Sequence, residues 1–355
     1  MKKFYTGKKI LVTGACGTVG REIARQLVSF KPAEIRLVDN NEAEMFYLMD
    51  VYNREGHICF LGDIRDNKRM EQLSKDIDII VHLAAYKHVV LSEYNPFDVV
   101  QTNVIGVENI IRAAITNNVS HVLFTSSDKA VNPTNVMGAS KLMGEKLFTA
   151  ANAIAGNGGN TMFASTRFGN VLGSRGSVVP LFAAQIKQGG PITITNEQMT
   201  RFVMSKKEAA KLVLKSITIS CGGEIFVTKM PVIRIVDLAD VMIEILAPKY
   251  GYKPSDIKKI VIGAKVGEKH YEELLSMEEV HRSMELKDMF VITPAFKSIY
   301  QFIHYQYTDV VSDRVNGYYV SSSEICLNKT EVKKYILKNN ILETAKKNPN
   351  GGTSP

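Results

Sequence analysis

The sequence predicts an α/β protein built on a doubly wound parallel sheet, with a smaller C-terminal lobe. Three observations carry that expectation. Short apolar runs alternate with segments of helical periodicity through the first half of the chain, a glycine-rich turn joins the first run to the first helix, and an acidic residue closes the second run. Strand–helix alternation of this kind packs helices on both faces of a parallel sheet through right-handed crossovers.

Taken in order, Ile10-Leu11-Val12 reads as the first strand, and Val19, Ile23 and Leu27 follow at helical spacing. Ile35 to Val38, Ile58 to Leu61, Ile77 to Leu83 and His121 to Thr125 are further strands. Val100, Val104, Val107, Ile111 and Ile115 predict one long helix with a single apolar stripe. After residue 172 the alternation loosens. A Gly/Ser-rich stretch from Gly173 to Gly190 runs into a helix-like segment, and Pro191 to Thr195 reads as a short strand. Residues 205–217, 235–246 and 269–280 have helical periodicity, whereas 224–228 and 260–262 look extended. The expected organisation is therefore a sheet domain over 1–172 with a returning strand and helix about 200–230. A substrate-binding lobe is expected over 173–199 and 231–343, and a flexible tail over 344–355.

Composition narrows the function classes. The 355 residues are 45% hydrophobic and 23% charged, ordinary globular usage that rules out bulk disorder. No uninterrupted apolar stretch approaches the ~18 residues a membrane helix needs, and the first residues lack a secretory signal. Four scattered cysteines (Cys16, Cys59, Cys221 and Cys326) show no metal spacing and fit reduced thiols in a cytoplasm. The net charge is +8, but six lysines against two glutamates from Lys329 onward supply about half of it. With no zinc-finger or RNP pattern, this reads as a solvated basic end and not as a nucleic-acid surface.

The turn Gly14-Ala15-Cys16-Gly17-Thr18-Val19-Gly20 has the spacing G-x-x-G-x-x-G between a strand and a helix. Such a turn brings backbone amides and a helix N-terminus to a pyrophosphate without Cβ obstruction. Asp39 follows 19 residues after Gly20, where its carboxylate can accept from an adenosine ribose and would repel a 2′-phosphate. NAD is thus preferred over NADP, with Asn40 beside it. Asp63 and Ile64 are placed to flank adenine, and Ala84-Ala85 to run beneath the cofactor. A plain structural turn, and a capping role for Asp63, are the alternatives.

Ser127-Asp128-Lys129 sits where the fifth strand ends, the side of an open α/β sheet that binds substrates. Met137 and Lys141, four apart at the start of a helix, share a face. A dehydrogenase of this type is expected to carry tyrosine at the first of these positions. The Met137 thioether cannot exchange protons, so either catalysis is lost or Asp128 and Lys129 do the tyrosine's work.

The stretch from Ser127 to Lys141 resembles the signature of nucleotide-sugar 4,6-dehydratases acting on UDP-N-acetylglucosamine, which are Rossmann-fold enzymes of the extended short-chain dehydrogenase/reductase type. The likeness continues through Ala84 to Val89, Arg167 to Val178, Thr200-Arg201-Phe202 and Gly267-Glu268-Lys269, so it spans roughly residues 8 to 280. One branch of that family has methionine at the helix position, and this chain is similar to it. The resemblance implies oxidation at C4 of the hexose, loss of water across C5 and C6, and hydride return to C6. Lys129 is assigned as the C5 base and Asp128 as the acid for the C6 hydroxyl, with Asp128 itself or a relay through Ser127 at C4. Lys141 would orient the nicotinamide ribose. The resemblance further implies that Asn170 and Arg201 touch the nucleotide sugar and that Lys87 lies near sugar and cofactor. Arg175, beside Ser177 and Val178, would meet phosphate, and Glu268 and Lys269 the uridine. His82, His88 and His121 read as strand-end or surface histidines, and Tyr86 as an alternative acid. Retention at C5 is expected, as is a homo-oligomer without a nucleic-acid partner or membrane span. The rival readings are an inverting dehydratase, an epimerase on a UDP-sugar, and an inactive NAD-binding sensor.

Overall fold

The computed structural model describes residues 1–53, 56–155, 161–263, 267–296, 299 and 303–342. The expected tail, 344–355, lies outside the described residues. The chain divides into two compact units. The first comprises Met1–Phe168, Ala209–Lys229 and Glu273–Tyr318, and the second Gly169–Glu208, Met230–Glu272 and Tyr319–Pro355.

The first unit opens with α1 (Lys2–Tyr5) and then alternates as expected: β1 (Lys9–Thr13), α2 (Thr18–Val28), β2 (Glu34–Asp39), α3 (Glu42–Tyr52), β3 (Ile58–Leu61), α4 (Asn67–Leu73) and β4 (Ile79–His82). Next come α5 (Val89–Tyr94), α6 (Pro96–Val100), α7 (Gly106–Thr116), β5 (His121–Thr125), α8 (Val136–Ile154) and β6 (Met162–Arg167). The six strands lie in the order β3-β2-β1-β4-β5-β6, all parallel. Strand order reverses between β1 and β4, and at such a switch point a crevice opens beyond the carboxyl ends of the strands. Ile225–Thr228 extends the sheet in parallel beside β6, and Met289–Ile292, Ser283–Leu286 and Val310–Ser312 complete ten strands in antiparallel fashion. Leu11, Ile80, Val122, Phe124, Phe148 and Phe163 belong to the core under this sheet.

Three differences from the expectation have physical reasons. The long helix over 100–115 is not uniform, because Gln101–Ile105 forms a π-helical turn between α6 and α7. The extra residue rotates the stripe, so Val107 and Ile111 are buried while Val100 is exposed. Residues 269–280 are not one helix. Glu273–Leu275 is a strand and only Met277–Val280 is helical, since the Leu274 carbonyl accepts from the Arg167 guanidinium at 2.9 Å and not from a helical amide. Finally, residues 273–318, grouped with the lobe on sequence, add strands to the sheet of the first unit.

In the second unit, Val232–Arg234, Thr200–Met204 and Asn170–Val171 form one small sheet, and Lys259–Val261 pairs with Ile192–Ile194. Helices Val178–Lys187, Ile235–Leu246 and Lys329–Lys338 pack on a core that includes Phe182, Ile192, Val203, Leu238 and Ile336.

Candidate active site

The crevice at the switch point is lined by the Gly-rich turn on one side and by the chain leaving β4 on the other. Gly14 has φ +69°, and a Cβ there would lie 2.7 Å from the Ala84 amide nitrogen. Only glycine allows the turn and the Leu83-Ala84 backbone to approach so closely. Thr13 locks the same junction. Its Oγ1 is 2.7 Å from His82 Nδ1 and accepts the amides of Leu83 and Ala84 at 3.3 and 3.4 Å. Burial pushes the His82 imidazole down to about 3, so it stays neutral and serves as a structural partner.

The Asp39 carboxylate accepts from the Cys16 and Asn41 amides at 2.9 and 3.1 Å, joining the end of β2 to the turn. Asp63 pairs with Arg65 at 2.6 Å and accepts from Asn40 at 3.3 Å. The Arg65 guanidinium holds the Asp63 carboxyl below the usual carboxylate range. Ile64 is buried and Ala85 half-buried. The α2 N-terminus opens at Gly17 and Thr18 without a side-chain cap, with Val19 and Gly20 in its first turn. A cradle that a Cβ would fill, uncapped helical amides and a carboxylate at the end of β2 fit a dinucleotide.

At the end of β5, Ser127 caps a single 3-10 turn, Asp128–Ala130. Its Oγ donates to Asp128 Oδ1 at 2.6 Å and accepts from the Lys129 amide at 3.3 Å. Lys129 Nζ lies 2.9 Å from Asp128 Oδ2; the Asp128 side chain is 2% exposed and that of Lys129 29%. The turn hangs on β6, with the Ser126 amide donating to the Thr166 carbonyl at 2.7 Å and the Asp128 amide to the Phe168 carbonyl at 3.2 Å. α8 starts directly against it. Asn135 caps the helix by accepting from the Gly138 amide, and a Cβ on Gly138 would sit 2.2 Å from the Lys129 carbonyl oxygen. Met137 and Lys141 both face inward and are buried. Lys141 Nζ donates to the Thr125 carbonyl at 2.9 Å and lies 4.7 Å from the Phe124 ring centre. Burial lowers the Lys141 ammonium to about 8, against the raising effect of the Glu145 carboxylate one turn on. Lys87 and Tyr86, after β4, are exposed.

In the second unit, Asn170 is half-buried in a strand paired with Val203. Arg175 is exposed and Val178 half-buried, while Ser177 occupies the N-cap of helix Val178–Lys187. Among the described residues the buried Ser177 Oγ has no hydrogen-bond partner. The Arg201 guanidinium donates to the carbonyls of Thr200, Lys269 and His270 at 2.8, 2.8 and 3.2 Å and lies 3.2 Å from Glu272 and 3.7 Å from Glu268. It thus fixes the segment that carries Glu268 and Lys269, both half-buried.

The match to known proteins is extensive. Residues 10–294 match the model of the polysaccharide biosynthesis protein family. The chain belongs to that family. It is 52% identical over 294 residues to an uncharacterized membrane protein of Methanocaldococcus jannaschii, covering 83% of this chain and 88% of the relative. It is 40% identical over 299 residues to the UDP-N-acetylglucosamine 4,6-dehydratase (inverting) of Campylobacter jejuni, covering 84% and 86%. The X-ray structure of Pen from Bacillus thuringiensis superposes with a TM-score of 0.88 at 39% identity, covering 96% of this chain and 99% of that one. Rickettsia relatives at 37–38% identity, aligned over 81% of this chain and 83% of their own length, are named UDP-glucose 4-epimerase. Solved nucleotide-sugar dehydratases and epimerases at 19–23% identity, with TM-scores of 0.60 to 0.64, share the Rossmann-type fold of extended short-chain dehydrogenases.

Sequence reasoning missed two residues that brace the candidate site, Asn103 and Ser140. Asn103, in the π-helical turn, accepts from the Tyr86 amide at 2.8 Å and donates to the Tyr86 carbonyl and to Ser140 Oγ at 3.0 and 2.9 Å. Ser140 in turn donates to the Met137 carbonyl at 2.7 Å. A polar residue inside an apolar helical stripe was the available signal. Among the described residues no helix is long and apolar enough to cross a membrane, and no cluster of three or more His, Cys, Asp or Glu could hold a metal.

Proposed function

We propose that the chain catalyses NAD-dependent 4,6-dehydration of UDP-N-acetylglucosamine to a UDP-2-acetamido-2,6-dideoxy-hexos-4-ulose, with inversion at C5, for surface-glycan synthesis. The observation that carries this reading is the contact between buried Asp128 and half-buried Lys129 on a turn held against α8, beside a methionine where a phenol is expected. A carboxyl and an amine in contact supply an acid and a base without a tyrosine. Relatives named inverting support the C5 assignment over the retention expected from sequence.

Gly14, Gly17, Thr18, Val19 and Gly20 would hold the pyrophosphate, Asp39 and Asn40 the adenosine ribose, Asp63 and Ile64 the adenine, and Lys141 the nicotinamide ribose. When bound, NAD supplies a hydride acceptor for C4 and a donor for C6. Proton chemistry falls to the chain's own side chains. Asp128 and Lys129 form an ion pair 2.9 Å apart, and moving one proton across that contact gives a neutral carboxyl and a neutral amine. The amine then takes the C5 proton while the carboxyl protonates the departing C6 hydroxyl, which restores the ion pair. Ser127 Oγ, 2.6 Å from Asp128, offers a relay for the C4 hydroxyl proton, which leaves to solvent and balances the proton that C5 takes back. Inversion requires the new C5 proton to come from solvent on the opposite face. For the substrate, Asn170 and the Arg201-held pair Glu268 and Lys269 would meet the nucleotide sugar. Arg175, Ser177 and Val178 at a helix N-terminus suit phosphate oxygens, and Lys87 the sugar.

Relatives named UDP-glucose 4-epimerase favour a second reading, C4 epimerisation, which needs no acid at C6. Incubation with UDP-N-acetylglucosamine and NAD in deuterated water, followed by NMR, separates them. The expected product has a C6 methyl signal, deuterium at C5 and the inverted C5 configuration. A 4-epimer without a methyl signal, or no turnover at all, overturns the dehydratase reading.

A further inference from the structure

Beneath the Asp128–Lys129 turn lies a charge cluster that the mechanism does not use. Arg167, the last residue of β6, is fully buried. Its Nε and one terminal nitrogen grip Glu145 of α8 at 3.0 and 2.6 Å. Its terminal nitrogens grip Glu279 at 2.9 and 3.0 Å and the Leu274 carbonyl at 2.9 Å. A guanidinium has five N–H donors, and these five contacts use every one. Burial opposes the charge on Arg167, but the carboxylates of Glu145 and Glu279 outweigh it and raise the guanidinium above its ordinary value. Arg167 in turn outweighs burial at Glu279, drawing that carboxyl down to about 2.

The position of this cluster in the chain matters. The residues on either side of Arg167, Thr166 and Phe168, offer the two carbonyls that hold the Ser126 and Asp128 amides. Glu145 stands one helical turn beyond Lys141 on α8. The segment clamped by Glu279 also reaches the far side of the catalytic turn, where Glu273 accepts from Asn132 Nδ2 at 2.5 Å. Asn132 has φ +43°, a left-handed conformation that asparagine tolerates better than most residues. The turn carrying the acid and base is therefore held from β6, from α8 and from the 273–279 segment, and one guanidinium joins all three.

We propose that Arg167, Glu145 and Glu279 are positioning residues that set the placement of Asp128 and Lys129 relative to Lys141. The inference rests on the dehydratase reading for its assay, but the geometry can be tested without it. Replacing a buried ion pair's partner outright leaves an uncompensated charge and risks the fold, so the test variant is Glu279→Asp, which keeps the charge and shortens the reach. With NAD and UDP-N-acetylglucosamine, kcat should fall at least tenfold with KM and NAD affinity within about twofold. Amide exchange at Ser126 and Asp128 should quicken tenfold or more, a readout that needs no substrate. Ser276→Ala, which removes one hydrogen bond to Glu279 Oε2 and the N-cap of helix Met277–Val280 but leaves the arginine contacts, should keep wild-type kcat. Unchanged amide exchange in folded Glu279→Asp, or a raised KM at wild-type kcat, overturns the proposal. A wild-type protein inert toward UDP-N-acetylglucosamine defeats the dehydratase reading instead, and the exchange measurement then decides the positioning role alone.

Discussion

At the scale of single residues, the proposed chemistry turns on Asp128 being nearly sealed from solvent while Lys129 remains partly open. A carboxyl in that setting resists ionisation unless a cation stays in contact, and the adjacent amine is that cation. Removing the amine takes away the proposed C5 base without touching the cofactor cradle. Lys129→Ala is therefore expected to lower kcat by about 10² to 10⁴-fold, the usual worth of a general base, with NAD affinity unchanged by fluorescence titration. Turnover near the wild-type rate in folded, NAD-loaded protein would remove Lys129 from the mechanism. Several residues of the candidate site were legible from sequence because their signals are local: Gly14, Asp39 and the Asp128–Lys129 pair each stand at or just beyond the carboxyl end of a strand. The contacts of Asn103 and Arg167 were not, because their partners lie 17 to 112 residues away.

At the scale of elements, α8 and the Asp128–Ala130 turn are pressed together most tightly at Gly138. A side chain on Gly138 would meet the Lys129 carbonyl at 2.2 Å, well inside contact distance. Gly138→Ala would ordinarily favour a helix by about 1 kcal/mol. Here the backbone must shift, and a net destabilisation of about 1–3 kcal/mol is expected, read as a lower urea midpoint together with reduced kcat. A variant as stable and active as wild type would show that the contact is slack. The strands of the first half were readable from apolar runs, since parallel strands buried on both faces have a strong signal. The segment 269–280 was misread for an equally physical reason. Leu274 and Leu275 are both buried, as helical periodicity allows, yet Tyr271 and Met277 are exposed and the Leu274 carbonyl serves a distant arginine. Likewise, no feature of residues 101–105 announces a π-turn, because it follows from the contacts of Asn103 with Tyr86 and Ser140.

At the scale of the whole molecule, buried titratable groups shape how stability responds to pH. Glu224 is fully buried, accepting from the amides of Cys221 and Gly222, and burial pushes its carboxyl up to about 7 from 4.5. Between those values the folded protein holds a proton that the unfolded chain releases, so this group's contribution falls as pH rises from 4.5 to 7. His82 acts in the opposite sense. Its folded value of about 3 lies below 6.5, so stability rises with pH across that interval. The two oppose each other between 4.5 and 6.5. In Glu224→Gln only the histidine side remains, and melting temperature should climb with pH through this range more steeply than in wild type, by up to about 1.4 kcal/mol per unit in stability. Parallel melting curves for the two proteins would show that Glu224 does not titrate there. The consecutive placement of Asp128 and Lys129 has a consequence for protein engineering. With the proposed acid and base on neighbouring codons and in contact, neither could be retuned alone. A substitution aimed at the optimum of one resets the other, and recombination between homologues will nearly always pass the two on as a unit.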